Sequence, residues 1–187
     1  FPMGIIAVSI IFLCICVDNM VSANMSAMKM SPEKKSVFSV KMTLFFSCFN
    51  ALFFALGYGI SAIFFHKWAY FAHNWVAFAF VLLLGIKFML ESIEKSPSFS
   101  NLDADDNRKM MKVSSVFALN AFLVGYAVET MEKAFFPQVL ILFVLTFLMT
   151  LIGFHLGSQS SKTIASKKVE LASGIVLIVM AVRLIIL

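Results

Sequence analysis

The run Met3–Met28, MGIIAVSIIFLCICVDNMVSANMSAM, decides the fold class of this 187-residue chain because it is long enough to cross a membrane. A transmembrane helix needs about 20 mostly apolar residues. Asp18 stands near the middle of this run, with Asn19 and Ser22 close by. A carboxylate at that depth costs roughly 2.5 kcal/mol or more, so such a residue usually faces a polar pathway and has a partner. The run therefore predicts a membrane span with a functional polar site near its centre.

The rest of the chain repeats this apolar character. It is 61% hydrophobic and 13% charged, whereas soluble domains carry about 25% charged residues. Five further candidate spans are Met42–Phe65, Asn74–Leu90, Val113–Met131, Pro137–Gly157 and Val169–Leu187. Backbone groups in lipid must be satisfied within the span, and the runs lack the alternation of barrel strands. We therefore predict an all-α membrane protein with six transmembrane helices.

The basic residues behind the net charge of +5 concentrate in alternate loops between the spans, so this charge does not indicate nucleic-acid binding. The three loops that follow spans one, three and five carry eleven basic residues: Lys29, Lys34, Lys35, Lys41, Lys95, Arg108, Lys109, Lys112, Lys162, Lys167 and Lys168. The opposite side has only Lys67 and Lys133. The positive-inside rule then places the basic loops in the cytoplasm and both termini outside. Lys87 and Arg183 lie inside predicted spans. Two positions are open for them, pairing with acids inside the bundle and extension toward the nearby helix ends, and we favour the second.

A polar segment divides the chain into two halves of three spans each. Residues 93–112 are rich in serine and acidic residues and lack apolar periodicity, which predicts a cytoplasmic linker between residues 1–92 and 113–187. A shift of 96 positions lays Asn50 on Thr146, and Asn120 follows Asp18 by 102. Because three is an odd number, the halves must enter the membrane in opposite directions. The sequence therefore predicts an inverted repeat, with a site at the repeat interface near the midplane.

Two polar motifs carry a resemblance to a known family. Val17-Asp18-Asn19-Met20-Val21-Ser22 resembles the first-helix motif, Asp-Ala-Phe-Ala-Val-Ser, of the MntP-type manganese efflux pumps. Asn120-Ala121-Phe122-Leu123-Val124-Gly125 resembles their fourth-helix motif, Asp-Ala-Leu-Ala-Val-Gly. The likeness continues at Leu82-Leu83-Leu84-Gly85-Ile86-Lys87, Glu91, Gly153, Gly157, Glu170 and Gly174. It implies a six-span exporter of Mn²⁺ in the bacterial inner membrane, whose two motifs form the ion path.

One position departs from the family pattern. The acid of the fourth-helix motif is replaced by Asn120, and Asn19 replaces the alanine after the first acid. Mn²⁺ prefers hard oxygen ligands, and an asparagine still offers a carbonyl oxygen. Glu129 follows nine residues later, about 13.5 Å along a helix, too far to replace the missing acid directly. The substitution leaves three outcomes open: weaker Mn²⁺ affinity, altered ion selectivity or a different cargo.

The expected cation site combines both halves of the chain. We assign Asp18, Asn19, Ser22, Asn50 and Asn120 to it. Ser22 follows Asp18 by four residues and shares its helix face.

We expect a secondary transporter, not an enzyme, that exports a divalent cation. The chain contains no Gly-x-x-x-x-Gly-Lys-Ser/Thr motif for ATP, so coupling to a proton or sodium gradient is expected. Its partners are the cation and the lipid bilayer; no cofactor is expected beyond Mn²⁺ as the transported ion, and association into a homo-oligomer is left open. The alternatives are an exporter of another cation or of small amino-acid-like solutes, and a non-transporting membrane subunit that has lost the second acid.

Overall fold

The structure is a computed structural model and consists of helices packed side by side. It describes residues 5–29, 32–65, 70–93, 107–129, 134–159 and 166–186, which are helical except for Cys16 and Ala134. The helices are α1 (Ile5–Ile15), α2 (Val17–Lys29), α3 (Pro32–Phe65), α4 (Tyr70–Ile93), α5 (Asn107–Glu129), α6 (Phe135–Gln159) and α7 (Ser166–Ile186). The all-α class is thus confirmed for the described residues.

The first predicted span is divided at Cys16 into α1 and α2. The Cys16 N–H donates to the Phe12 carbonyl, and the Met20 N–H donates to the Cys16 carbonyl, both at 3.1 Å. These two bonds have the α-helical spacing, so α1 and α2 form one transmembrane stretch with a local irregularity. Asp18 lies just after this irregularity, in the first turn of α2.

The length and apolar character of the helices identify a multi-pass membrane protein. Five described stretches are long and apolar enough to cross a membrane: Ile6–Met28, Lys35–Ile63, Trp75–Ile93, Arg108–Glu129 and Phe135–Ser158. They agree with the first five predicted spans. Of the sixth predicted span, Val169–Leu187, residues 169–186 lie in α7, which is not among these five stretches, and Leu187 lies outside the described residues.

Two helices begin earlier than the sequence predicts. α3 starts at Pro32 instead of Met42, so most of the predicted first loop is helical. Proline is favoured at the first helical position, and the lysines that follow it are good helix formers. These same lysines end the apolar run, which is why hydropathy places the boundary too late. α5 starts at Asn107, within the predicted linker; residues 94–106 of that linker lie outside the described part of the chain.

The outer helices turn apolar side chains outward and polar ones inward. On α6, Leu140, Val144, Leu148, Ile152 and Leu156 are exposed at a spacing of four residues. The buried polar residues of α3 and α6 are Thr43, Ser47, Asn50, Ser61, Gln138, Thr146 and Thr150. A soluble helix has the reverse arrangement. The outward stripe therefore suits contact with lipid, while the interior holds the polar groups.

Contacts along the helices fix their relative directions. α2 runs parallel to α6, because Gly153 faces the backbone of Met20 and Gly157 faces that of Asn24. α3 runs parallel to α5, where the Phe46 and Phe117 rings meet edge to face at one level. Further along both helices, the Ser61 hydroxyl donates to Glu129.

The other two major pairs are antiparallel. α3 meets α6 through the ring pair Phe38 and Phe154 and through the hydrogen bond from Asn50 to Thr146. From the first pair to the second, the α3 residue number rises from 38 to 50 and the α6 residue number falls from 154 to 146, so these helices run in opposite directions. α4 packs closely against α7 where Gly85 and Gly174 approach each other.

We predict that Gly57→Ala destabilises the protein and that Gly59→Ala does not. A Cβ at Gly57 would collide with the carbonyl oxygen of Phe122 on α5, whereas one at Gly59 meets nothing within 4 Å. Forcing a methyl group into a tight contact typically costs about 1–3 kcal/mol. Thermal unfolding of the purified proteins in detergent measures the difference. Equal melting temperatures for the two variants would contradict the close α3–α5 packing.

Candidate functional site

The two predicted polar motifs lie on the two most enclosed transmembrane stretches. In Ile6–Met28, 72% of the apolar membrane-spanning segment is buried inside the protein, and in Arg108–Glu129 the buried share is 56%. The corresponding figure for Phe135–Ser158 is only 28%. Asp18 and Asn120 are therefore carried by helices that protein, rather than lipid, surrounds on most sides.

Asp18 and Asn120 contact each other directly. The Asn120 Nδ2 donates a hydrogen bond to Asp18 Oδ2 at 2.8 Å, and both side chains are buried, with 5% and 3% exposure. This bond joins α2 to α5 across 102 residues of sequence. The structure thus brings the two predicted polar motifs into direct contact.

Lys87 of α4 completes this arrangement and was not predicted as a site residue. Its Nζ lies 3.5 Å from Asp18 Oδ2 and donates to Asn120 Oδ1 at 3.0 Å. The same Nζ lies 3.3 Å from Glu91 Oε1, one turn further along α4. The expectation that Lys87 extends toward the helix end was therefore wrong, since its ammonium points at the acid in the bundle interior.

The Asn120 amide is held from both sides by these contacts. Its NH₂ group faces the Asp18 carboxylate, and its carbonyl oxygen faces the Lys87 ammonium. An asparagine can do both because it carries two donors and an acceptor. We name the group formed by Asp18, Lys87, Glu91 and Asn120 the charged cluster. It contains three ionisable side chains and one amide that bridges two of them.

Asn50 lies in a neighbouring polar contact. Its Nδ2 donates to Thr146 Oγ1 at 3.3 Å, and the same hydroxyl oxygen lies 3.3 Å from Cys16 Sγ. Cys16 precedes Asp18 by two residues, so this contact adjoins the charged cluster through the backbone of the first span. Asn50 itself has no recorded contact with Asp18 among the described residues. Asn50 thus lies at the contact between α3 and α6 and is connected to the charged cluster through Thr146 and Cys16.

Asn19 and Ser22 are buried but make no hydrogen bond through their side chains. They are 1% and 5% exposed, and neither the Asn19 amide atoms nor the Ser22 hydroxyl has a partner in the part of the chain that the structure describes. A buried polar group without a partner costs about 1–3 kcal/mol. Asn19 and Ser22 thus place buried polar atoms without a hydrogen-bond partner on the same helix as Asp18.

The available ligand atoms are mixed in type. No group of three or more His, Cys, Asp or Glu in the described ranges is arranged to hold a metal ion. Near Asp18, an ion would instead find its carboxylate and the Asn120 carbonyl oxygen, with the Ser22 hydroxyl one turn along α2 and the Glu91 carboxylate on the far side of Lys87. All of these are hard oxygen donors, which suit Mg²⁺, Ca²⁺ and Mn²⁺ and not soft ions such as Cu⁺. Glu129 lies elsewhere, bonded to Ser61 at 3.1 Å, and does not join the charged cluster.

Sequence reasoning could have found Lys87 and Glu91 by their spacing. They are four residues apart on one helix, which allows a pair on one face. Hydropathy places Lys87 near the end of a span but does not say which way that face turns. Its direction depends on how α4 packs against α5, which only the folded structure provides.

Comparison with known proteins identifies the family. The family model described as "Putative manganese efflux pump" matches residues 32–185. Three similar proteins carry the name "Putative manganese efflux pump MntP". That of Gloeothece citriformis is 23% identical over 147 residues, covering 79% of this chain and 77% of the relative. That of Bifidobacterium longum is 29% identical over 150 residues, covering 79% and 76%. That of Campylobacter jejuni is 27% identical over 143 residues, covering 76% and 75%.

No solved structure matches the chain. The family description concerns a transporter and names neither an enzymatic activity nor a cofactor. It covers most of the chain, including α3 to α7 and therefore Lys87, Glu91 and Asn120. The protein thus belongs to the family of manganese efflux pumps that this description defines.

Proposed function

We propose that this chain is a secondary transporter that exports a divalent metal cation, with Mn²⁺ as its cargo, through a site between α2 and α5. The observation that carries the proposal is the contact between Asp18 and Asn120 inside the two most enclosed stretches. It brings two oxygen-bearing side chains together from opposite halves of the chain. The family description supports manganese as the cargo.

The cost of burying Asp18 argues for a functional role. Ionisable residues within membrane spans are expensive, and they commonly mark ion pathways. A purely structural link between α2 and α5 would need only two neutral polar side chains, such as the asparagine and threonine that join α3 to α6. The retained charge at Asp18 is what a cation site requires.

Ser22 and Asn19 extend the proposed site along α2. Their unpaired polar atoms could bind the ion or its remaining waters when the cargo is present, which would recover the cost of their burial. Asn50 supports the site indirectly, because it donates to Thr146, whose hydroxyl also contacts Cys16 in the first span. The proposed ligands are therefore Asp18 and Asn120, with Ser22 and Asn19 beside them and Asn50 in a supporting position.

We also propose that residues 1–92 and 113–187 form an inverted repeat joined by the linker 93–112. Equivalent contacts in the two halves support it. Gly57 faces the backbone of Phe122, and Gly153 faces the backbone of Met20. Gly153 follows Gly57 by 96 positions, and Phe122 follows Met20 by 102. The pairing of parallel α2 and α6 thus mirrors that of parallel α3 and α5.

Two further pairs are consistent with a two-fold axis. Asn50 and Thr146 are separated by 96 residues, Asp18 and Asn120 by 102, and each pair makes a direct hydrogen bond. Equivalent residues touch each other only if they lie close to the axis that relates them. This would place the charged cluster near the repeat axis, where transporters of this plan bind their cargo.

We expect both termini to lie outside the bacterial inner membrane, because the basic residues concentrate in the loops after spans one, three and five. A reporter enzyme that works only outside the cytoplasm should be active when fused after Leu187. The same reporter placed after Asn101 should be inactive. Activity at Asn101 and not at Leu187 would reverse the orientation, and with it the direction of transport.

Asp18→Asn should reduce Mn²⁺ export to the level of vesicles without the protein. The substitution keeps the size of the side chain but removes the carboxylate charge that accepts a hydrogen bond from Asn120. Export is measured as Mn²⁺ uptake into inside-out vesicles, with Fe²⁺, Co²⁺, Zn²⁺ and Cu⁺ compared in parallel. Arg183→Met, which removes an exposed charge from α7, is the matched control. Normal transport by a well-expressed Asp18→Asn protein would remove Asp18 from the mechanism.

Asn120→Asp should tighten Mn²⁺ binding by about tenfold. A second carboxylate attracts a dication more strongly than an amide does, even at an effective dielectric of about 20. Lys87 already contacts Asn120 Oδ1 and would limit the repulsion between the two acids when no metal is bound. Isothermal titration in detergent measures the affinity. If Asn120→Asp binds Mn²⁺ no better than the parent, position 120 is not a ligand position.

A further inference from the structure

The Lys87 ammonium lies against the two oxygens that the proposed function assigns to the cargo. Its Nζ is 3.5 Å from Asp18 Oδ2 and 3.0 Å from Asn120 Oδ1. We propose that Lys87 occupies the position of the cation in the empty transporter and that the transported ion displaces it. This inference rests on the proposed function and adds a residue that sets affinity and selectivity.

The geometry makes the two occupants mutually exclusive. The two oxygens come from α2 and α5, and the lysine comes from α4, so the ammonium bridges helices as a bound ion would. An ammonium is a compact positive charge with three donors and no acceptor. A dication on Asp18 Oδ2 would lie within a few ångströms of Nζ and repel it. Binding of the cargo therefore requires Lys87 to leave these oxygens.

Glu91 provides a second acid for the displaced ammonium. It already lies 3.3 Å from Nζ, and its side chain is 36% exposed, compared with 5% for Asp18. The lysine stem is long and flexible, so a small rotation can move the ammonium from one acid to the other. Lys87 itself is 35% exposed, which leaves room for this movement. The ammonium therefore remains paired in both states.

This exchange has two consequences for transport. In the empty protein Asp18 keeps an opposite charge beside it, so the change between inward and outward states does not expose a lone buried carboxylate. A tethered ammonium also competes with any incoming cation. A monovalent ion brings no more charge than the ammonium it must replace, whereas a divalent ion brings twice as much. Lys87 therefore favours divalent cargo over Na⁺ or K⁺.

Lys87→Met should tighten Mn²⁺ binding, and Glu91→Gln should weaken it. Removing the ammonium leaves Asp18 open to the ion; if the site is free of Lys87 for about a tenth of the time, affinity rises about tenfold. Removing the charge of Glu91 holds Lys87 on Asp18 and opposes binding. Opposite signs from two residues on one helix are not expected of a purely structural role. Isothermal titration of Mn²⁺ in detergent measures both, with Arg183→Met as the control.

Transport assays separate the two roles of Lys87. In vesicles, Lys87→Met should retain a much larger share of Mn²⁺-for-Mn²⁺ exchange than of net export, because the loaded protein needs no lysine on Asp18. Net export should fall, because the empty protein must return with Asp18 unpaired. Competition by Na⁺ should also increase in this variant. An equal loss of exchange and net export would identify Lys87 as structural and overturn the proposal.

The remaining outcomes are equally decisive. If the parent moves Mn²⁺ but Lys87→Met binds it no tighter, the inference fails and the proposed function stands. If Lys87→Met does not fold, Glu91→Gln decides: weaker binding supports the inference, and unchanged or tighter binding overturns it. If the parent neither binds nor moves a divalent cation, the proposed function fails and the inference fails with it.

Discussion

The structure depends on keeping a buried carboxylate paired inside an apolar helix bundle. Asp18 is 5% exposed, and its Oδ2 contacts Lys87 from α4 and Asn120 from α5. Loss of the Lys87 ammonium would leave the Asp18 carboxylate with only the Asn120 amide beside it, which raises the cost of burying that charge. The pairing thus links α2, α4 and α5 through their side chains. The same three helices supply every residue of the charged cluster.

Close helix packing makes this pairing possible. Gly153 and Gly157 let α6 approach the backbone of α2, and Gly57 and Gly125 do the same between α3 and α5. Small residues at such contacts are typical of membrane bundles, where helices attract one another mainly by close packing. α3 and α6 then enclose the two helices that carry Asp18 and Asn120. The interior polar groups become inaccessible to lipid, while the outward stripes remain apolar.

The sequence predicted the two polar residues that meet inside the bundle but not the charged side chains around them. The depth of Asp18 in an apolar run and the resemblance at Asn120 both follow from linear patterns, and the structure brings the two residues together. The direction of the Lys87 side chain was predicted wrongly, because the hydropathy of α4 does not determine which face of that helix turns toward α5. The early start of α3 was missed for a related reason, since lysines that end an apolar run are still good helix formers.

The balance of charges also gives the substitution at Asn120 a physical meaning. With Lys87 in place, one carboxylate already forms a neutral pair, and the amide bridges that pair by donating to one member and accepting from the other. A second acid at this position would place three carboxylates, with those of Asp18 and Glu91, around the single ammonium of Lys87. Asn120 is therefore compatible with the proposed site, in which the Lys87 ammonium rests between the two oxygens and gives way to the cation.

Locating a bound ion tests this account most directly. Crystals of the full chain grown with Mn²⁺ allow the metal to be identified by its anomalous scattering. The account predicts a peak between Asp18 Oδ2 and Asn120 Oδ1, with Lys87 Nζ moved away from both oxygens and paired with Glu91. A peak at another position, or a metal at Asp18 with the Lys87 ammonium still in contact with both oxygens, would contradict it.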